Sequence, residues 1–227
     1  MKRCYLVRHA QTEWNRENRL QGHSDQPLSS FGKAQAKRLA GWFASHHLEG
    51  LFTSSLQRSL QTAWTIANGN GHRLKPVVDP DLAEMHLGLW EGLTPEEIDG
   101  QFQGAYQQWK LRPSSVSIPR AEVLDDFRAR TRRALERIAG SFTGGACVVV
   151  THGGVIASML AEILDADYDT MLKNLRLDNA GISVLEWDGA TPHVLWINAT
   201  DHLDTYAFLD TTESVRSSKH EVRSEKP

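Results

Sequence analysis

Three side chains able to bind or attack an anion follow two short apolar runs that are far apart in the sequence. Residues 4–7 (Cys-Tyr-Leu-Val) run into Arg8 and His9, and residues 147–150 (Cys-Val-Val-Val) run into Thr151 and His152. Apolar runs of this length, bounded by polar residues, are typical of buried parallel strands. Because ligands bind at the carboxyl ends of the strands in open α/β sheets, neighbouring strands would bring two imidazoles and a guanidinium to one crevice. The sequence therefore predicts an anion site with nucleophilic chemistry.

These residue types fit phosphoryl transfer without a metal, which needs a nucleophile, cations around the phosphoryl oxygens and an acid for the leaving oxygen. A neutral His9 is the candidate nucleophile and would form a phosphohistidine. The expected cations are Arg8, Arg58 and a protonated His152, because Arg58 follows the predicted strand that ends at residue 53. Glu84, in the loop after another predicted strand, is the candidate proton donor and, as a carboxylate, the base for the attacking water.

Strands and helices alternate along the chain, which predicts an α/β fold with a mostly parallel sheet. Residues 10–27 are polar and predict a long loop, and residues 93–139 show helical patterns without a strand, which predicts a helical cap inserted over the crevice. A hairpin turn is predicted at residues 188–189. Strands are predicted at 3–8, 51–53, 74–78, 147–150, 182–187 and 194–198, and helices after the N-cap Ser29, at 56–67, after the N-cap Thr94, at 123–139 and at 155–164.

Some aromatic residues are assigned to packing roles by the same helical periodicity. Phe31 is expected on the apolar side of the helix after Ser29, and Trp64 is expected in the core. Trp14 and Trp42 are also expected in the core, whereas Trp90 and Trp109 are expected to line the cap.

The length and composition are those of one globular domain. The chain has 227 residues, 40% of them hydrophobic, and a formal net charge of −3. We expect a single domain over residues 1–210 and a disordered tail over the charged, serine-rich residues 211–227. Cys4 and Cys147 both lie in the apolar runs, five residues before a histidine, and are expected to be small core residues.

Several classes of function lack support. There is no basic stripe for nucleic acid, no apolar stretch of membrane-spanning length and no apolar signal segment at the N-terminus, so a cytoplasmic enzyme is expected. No tight cluster of His, Cys and Asp suggests a metal, and no cofactor is expected.

An ordered series of motifs carries a resemblance to a known family. Residues 8–15 read Arg-His-Ala-Gln-Thr-Glu-Trp-Asn. They are followed by Gln-Gly at 21–22, Thr-Ser-Ser at 53–55 with Arg58, Glu84 with Gly-Leu-Trp-Glu-Gly at 88–92, and Val-Thr-His-Gly-Gly at 150–154. This series, spanning about residues 3–202, resembles the histidine phosphatase superfamily in its phosphoglycerate-mutase-like branch.

The resemblance implies a fold, roles and substrates. The fold would be a three-layer α/β/α sandwich with a helical insertion over the site. His9 would be phosphorylated, Arg8, Arg58 and His152 would bind the phosphoryl group, and Glu84 would donate the proton. Small phosphorylated metabolites would be the substrates, and a homodimer is one of the oligomeric states found in the family. The positions matching the family's phosphate and substrate contacts are Asn15, Gln21, Gly22 and Gly153.

Three functions remain open. A phosphatase is favoured over a cofactor-dependent phosphoglycerate mutase, because the mutases carry Glu-Arg-x-Tyr-Gly after the acid and paired arginines in the insertion. Here Met-His-Leu-Gly follows Glu84, and the insertion carries isolated cations at Lys110, Arg112, Arg120 and Arg128, which remain possible anion contacts. Residues 118–123 stand where related phosphatases usually carry the pattern Pro-Gly-Gly-Glu-Ser. Only Pro119 and Glu122 match this pattern, so the mouth of the pocket is expected to differ from that of the relatives. A catalytically silent phosphate-binding module is the third alternative.

Overall fold

A six-stranded sheet forms the centre of the protein, whose computed structural model describes residues 2–71, 74–142, 144–187 and 191–204. The spatial order is β3-β2-β4-β1-β5-β6; the first four strands pair in parallel, and β5 runs antiparallel to both of its neighbours. The predicted mostly parallel sheet is therefore confirmed. The strands are β1 (Lys2–Arg8), β2 (Gly50–Thr53), β3 (Val77–Val78), β4 (Gly145–Thr151), β5 (Ile182–Trp187) and β6 (Pro192–Ala199).

The two apolar runs that precede the histidines are neighbouring central strands. Cys4 lies opposite Cys147 in the β1–β4 register, and Arg8 lies opposite Thr151. Both cysteines are free and fully buried, as expected for core residues. His9 and His152 consequently leave the sheet at the same edge, one residue beyond each strand.

Helices cover both faces of the sheet and make the sandwich that the resemblance implied. One face packs against α2 and α3, and the other packs against α6, α7 and α8. The helices are α1 (Glu13–Arg16), α2 (Ser30–Phe43), α3 (Gln57–Gly69), α4 (Pro95–Gln101), α5 (Ala105–Leu111), α6 (Leu124–Gly140), α7 (Gly153–Ile163) and α8 (Tyr168–Asn174).

Side-chain caps start several of these helices. The Ser29 hydroxyl accepts a hydrogen bond from the Gly32 N–H, and Thr94 forms a capping box with Glu97, both as the sequence indicated. Thr12 forms a second capping box with Asn15, and this box starts α1 inside the segment expected to be a loop. Part of residues 10–27 is therefore helical.

Three further predictions differ from the structure. Phe31 is 61% exposed and Trp64 is 46% exposed. Each lies about one residue, or 100°, away from the buried stripe of its helix, which runs through Gly32 and Ala36 in α2. The strand predicted at 74–78 is only the two exposed residues of β3, and α8 was not predicted at all.

The segment expected to be a cap is divided between two parts of the structure. Trp90, Ile98 and Ile118 form a small separate core to which α4 and α5 add their apolar sides. In contrast, Phe127 and Ala134 of α6 belong to the core under the sheet. The helical cap predicted over residues 93–139 therefore ends before α6, which belongs to the layer under the sheet.

Two sequence predictions lie outside the described residues: the turn at 188–189 and the tail at 211–227. Within the described residues, no helix is both long enough and apolar enough to span a membrane.

Candidate active site

His9 is held as a neutral imidazole with a free nitrogen. Its main-chain N–H donates to the Thr151 carbonyl at 2.8 Å, which extends the β1–β4 ladder by one residue. Its Nδ1–H donates to the Ala10 carbonyl at 2.8 Å, so the lone pair is on Nε2. Burial, followed by the charges of Arg58 and Arg8, lowers the pKa of His9 well below its usual value. The ring therefore has the protonation state that a nucleophile requires.

His152 lies beside His9, with ring centroids 5.1 Å apart and planes inclined by 57°. Its Nε2 is 2.8 Å from the Ser54 hydroxyl and 3.3 Å from that of Ser59. Its buried Nδ1 has no hydrogen-bond partner among the described residues. Burial, followed by the charges of Arg58, His9 and Arg8, lowers the pKa of His152 well below its usual value. This surrounding favours the neutral form of the His152 ring, in contrast to the protonated ring expected from the sequence.

Arg58 and Arg8 supply the positive charge of the site. Arg58 is 1% exposed and donates to the main-chain oxygens of Ser24 at 3.0 Å and Gly22 at 2.7 Å. Burial is the main cause that lowers its pKa to about 10, so it stays a cation at neutral pH. Arg8 donates to the Leu177 carbonyl. The Nε atoms of both arginines are buried without a partner in the described chain, and an oxyanion is the type of group that would satisfy them.

Glu84 lines the same cavity. It is half-buried, and its two carboxylate oxygens accept hydrogen bonds from the N–H groups of Met85 at 2.9 Å and Gly154 at 3.1 Å. A Cβ on Gly154 would lie 2.4 Å from the Glu84 Oε1, so glycine is required for this approach. The structure therefore brings Glu84 to the start of α7, directly after His152.

The four residues that the resemblance assigned to substrate binding line this cavity, which measures about 490 Å³. The side-chain oxygen of Asn15 accepts from the Thr12 N–H at 3.0 Å, and that of Gln21 accepts from the Thr12 hydroxyl at 3.0 Å. Gly22 has a φ of +50°, and a Cβ there would lie 2.2 Å from the Glu91 Oε1. Gly153 lies beside Arg8 and leaves the cavity floor open.

Comparison with known proteins places this arrangement in a family. A model of the histidine phosphatase superfamily (branch 1) matches residues 4–200. The chain belongs to the histidine phosphatase superfamily. This membership confirms the resemblance and supports a phosphomonoester hydrolase of the phosphoglycerate-mutase-like kind.

Individual members of the superfamily are similar to this chain in sequence and in fold, and two of those described here are named as phosphatases. The chain is 31% identical over 202 residues to a putative phosphoserine phosphatase 2 of Hydrogenobacter thermophilus, covering 89% of this chain and 98% of the relative. YhfR of Bacillus stearothermophilus superposes with a TM-score of 0.83 at 32% identity, covering 90% of this chain and all of that one. A mycobacterial glucosyl-3-phosphoglycerate phosphatase, Rv2419c, solved in complex with VO3, gives a TM-score of 0.80 at 29% identity, covering 88% and 100%.

Two residues to which the sequence assigned no role support the site of this histidine phosphatase. Asn179 donates through Nδ2 to the His9 carbonyl at 3.1 Å and to the Asn15 Oδ1 at 3.2 Å. The buried Arg130 of α6 donates to the main-chain oxygens of Ala83 at 2.6 Å and Glu84 at 2.9 Å. The helical periodicity of Phe127, Ala134 and Ile138 is a signal that places Arg130 on the buried face of α6.

The buried guanidinium of Arg130 is paired with Glu122. Its Nε and Nη2 donate to the two oxygens of that carboxylate at 2.6 and 2.8 Å. A hydrogen bond from Arg130 to the Asp81 carbonyl at 2.9 Å completes its hold on the loop that carries Glu84. Glu122 is thus linked to the acid loop through Arg130.

Other histidines lie close to this superfamily site without lining it. His23 and His86 have ring centroids 5.1 Å apart, and the His23 Nε2 is 2.7 Å from the Glu84 carbonyl. No group of three or more His, Cys, Asp or Glu side chains suited to a metal ion occurs in the part of the chain that the structure describes.

Proposed function

We propose that the protein is a metal-independent phosphomonoesterase that hydrolyses small phosphorylated metabolites through a phosphohistidine on His9. The observation that carries this proposal is the Nδ1–H···O=C bond from His9 to Ala10, which leaves the Nε2 lone pair in a buried, neutral ring near two arginines. An imidazole nitrogen in this state is a competent nucleophile toward phosphorus.

In the first step, the His9 Nε2 forms a bond to phosphorus while the ester P–O bond breaks. Glu84, entering as the carboxylic acid, gives its proton to the leaving oxygen, and the alcohol departs. Arg8, Arg58 and His152 hold the three remaining phosphoryl oxygens, whose charge is distributed among fixed donors. Asn15 adds an amide group at the same phosphate.

In the second step, a water attacks the phosphohistidine and the Glu84 carboxylate takes its proton. The P–N bond breaks, the electron pair returns to the His9 Nε2, and inorganic phosphate leaves. Gln21, Gly22 and Gly153 line the space beside the phosphoryl group and contact the alcohol portion of the substrate.

Phosphatase activity is favoured over mutase activity by the charges that line the cavity. A mutase must also hold a bisphosphorylated cofactor, and this requires cations for a second phosphate. Among the described residues lining the cavity, Arg19 is the one further cation, and it is already bonded to the Glu97 carboxylate at 2.8 Å and the Gly92 carbonyl at 2.7 Å.

Hydrolysis of p-nitrophenyl phosphate in the presence of EDTA tests the proposal. We expect turnover in the wild-type protein and acid-labile labelling by a radioactive phosphate ester, with both lost in His9→Ala. His193→Ala, at an exposed histidine of β6, is the matched control and should behave as wild type. Isomerisation of 3-phosphoglycerate dependent on 2,3-bisphosphoglycerate, without hydrolysis, would instead identify a mutase. Phosphate binding without either reaction would identify a silent binding module.

A further inference from the structure

The cavity is lined by two chemically different sets of residues. Arg8, Arg58, His9 and Glu84 are the polar set, where the phosphoryl group would be bound. The second set, called here the apolar end, comes from the loop after Glu84, from α5 and from the region of α8, and its members pack in two apolar clusters. The residues that form this apolar end are Met85, Leu87, Tyr106, Trp109, Leu172 and Leu175.

Two aromatic rings of α5 give the apolar end a flat wall. Tyr106 and Trp109 have ring centroids 5.6 Å apart and planes only 26° from parallel. Both side chains are half-buried and border the cavity. Stacked rings of this kind present faces and edges that pack well against another aromatic or apolar group.

The cavity offers no free cation for a second anionic group of a substrate. Besides Arg8 and Arg58, Arg19 is the one arginine or lysine among the described residues that border it. Its guanidinium is bonded to Glu97 at 2.8 Å and to Glu17 at 3.2 Å. A substrate carboxylate at this position would have to share Arg19 with these two partly exposed carboxylates, which already balance its charge.

The main-chain donors beside Gly22 are occupied as well. The Glu91 carboxylate accepts hydrogen bonds from the N–H groups of His23 at 2.8 Å and Leu87 at 3.0 Å, and from the Ser24 hydroxyl at 2.8 Å. Burial raises the pKa of Glu91, but these bonds outweigh it and the net pKa is lowered. A charged Glu91 therefore lies directly behind the cavity wall and repels a second carboxylate.

We propose that the substrates of this enzyme are phosphate monoesters whose alcohol portion is uncharged and apolar, with an aromatic ring as the best-fitting group. An ester that carries a carboxylate next to the phosphate is selected against, because the carboxylate loses its hydration and finds Glu91 and apolar side chains in place of a cation. This inference rests on the proposed phosphatase activity. The proposed substrates also differ from phosphoserine, the substrate after which one relative, the putative phosphoserine phosphatase 2, is named.

A panel of four esters tests the inference: 2-phenylethyl phosphate, propyl phosphate, phosphoserine and 3-phosphoglycerate. All have aliphatic alcohols, so an aryl leaving group does not bias the comparison. We expect kcat/KM for 2-phenylethyl phosphate to exceed that for propyl phosphate by at least about tenfold, the gain typical of burying an apolar ring. We also expect propyl phosphate to exceed both carboxylated esters. A higher kcat/KM for phosphoserine or 3-phosphoglycerate than for 2-phenylethyl phosphate overturns the inference and leaves the phosphatase proposal intact.

Failure of the underlying function gives a different result. If none of the four esters and no p-nitrophenyl phosphate is hydrolysed, the proposed phosphatase activity is wrong, and this inference is wrong with it.

Variants of the aromatic wall provide a second test. Trp109→Leu, which keeps an apolar side chain, should raise KM for 2-phenylethyl phosphate about fivefold or more and leave kcat/KM for propyl phosphate within about twofold. Trp64→Leu, at an exposed tryptophan on α3, is the matched control and should leave both values unchanged. Equal losses for the two esters in Trp109→Leu would show that the ring supports the fold and does not contact the alcohol group.

Discussion

The guanidinium of Arg130 donates a hydrogen bond of 2.9 Å to the main-chain carbonyl of Glu84. Two more hydrogen bonds from the same guanidinium, to the Asp81 and Ala83 carbonyls, hold the preceding residues of the loop. An arginine on α6 thereby fixes the position of the candidate acid without touching the cavity.

Replacing Arg130 should impair the acid step more than phosphate binding. We expect Arg130→Lys to lower kcat/KM for alkyl phosphates about tenfold or more, while kcat/KM for p-nitrophenyl phosphate changes little, because a mispositioned Glu84 protonates the alkoxide poorly. Steady-state kinetics with both esters measure this. The control is Arg132→Gln, at an exposed arginine of the same helix. Equal losses with both esters would point to a general structural defect.

Loss of the positive charge of Arg130 should also lower the free energy of unfolding. Arg130→Gln leaves the half-buried Glu122 carboxylate without its partner, which should cost less in the free energy of unfolding than the roughly 3–5 kcal/mol typical of a fully buried pair. Urea denaturation measures the loss. The double variant Arg130→Gln/Glu122→Gln should recover part of it, and no recovery would contradict the pairing as its cause.

Glu84→Gln should show a strong dependence on the leaving group. The amide cannot donate the proton that an alkoxide needs, so we expect kcat for alkyl phosphates to fall about 10²–10⁴-fold. p-Nitrophenol leaves without protonation, and its release should be affected far less. Burst kinetics with p-nitrophenyl phosphate should then accumulate phosphohistidine, because the same residue activates the water. Because kcat/KM reports the first step and not the later attack of water, an equal fall in kcat/KM for all esters contradicts the role of proton donor.

Gly154→Ala should reproduce part of the loss of activity expected for Glu84→Gln, although Glu84 and His9 themselves are unchanged. The added methyl would lie 2.4 Å from the Glu84 Oε1, so the flexible carboxylate must move away. We expect kcat for alkyl phosphates to fall about tenfold with the melting temperature nearly unchanged. The control is Gly100→Ala, in α4, where a Cβ has no neighbour within 4 Å. Wild-type kinetics in Gly154→Ala would contradict the tight approach.

Acidification should unfold the protein partly through His202. Burial is the main cause that lowers the pKa of His202 to about 4. Between that value and the ordinary pKa of about 6.5, the unfolded state binds a proton that the folded state does not. Stability is therefore present above pH 6.5 and is lost as the pH falls toward 4, by up to about 3 kcal/mol from this residue.

The free energy of unfolding in urea, measured at pH 7.5 and pH 5, tests this expectation. The difference between the two pH values should be smaller in His202→Gln than in the wild-type protein. His193→Gln, at an exposed position, should keep the wild-type difference. An unchanged difference in His202→Gln would contradict the role of this residue in acid sensitivity.

The catalytic end of the site was predictable because its signals are local. β1 and β4 are central strands buried on both faces, so they appear as continuous apolar runs, and the polar residues that follow them mark the sheet edge. The caps at Ser29 and Thr94 were readable for the same reason, since a cap is a pattern within four residues.

The remaining features depend on contacts that a local pattern does not contain. α6 holds five arginines, and its packing against the sheet decides that Arg130 is the buried one. The preference of His152 for the neutral form follows from complete burial beside two arginines, which cannot be read from a strand end. The four-residue α1 begins with Asn15 completing the capping box in place of the usual glutamate or glutamine, so its start was missed.

The hydrogen bond from the His9 N–H to the Thr151 carbonyl continues the β1–β4 ladder past both strands. The separation of the two histidine rings is therefore inherited from the strand register in the middle of the molecule. Residues of α5 and α8, which border the apolar end of the cavity, take no part in that ladder. Those segments can therefore change in length or in side chains without altering the distance between the two histidine rings.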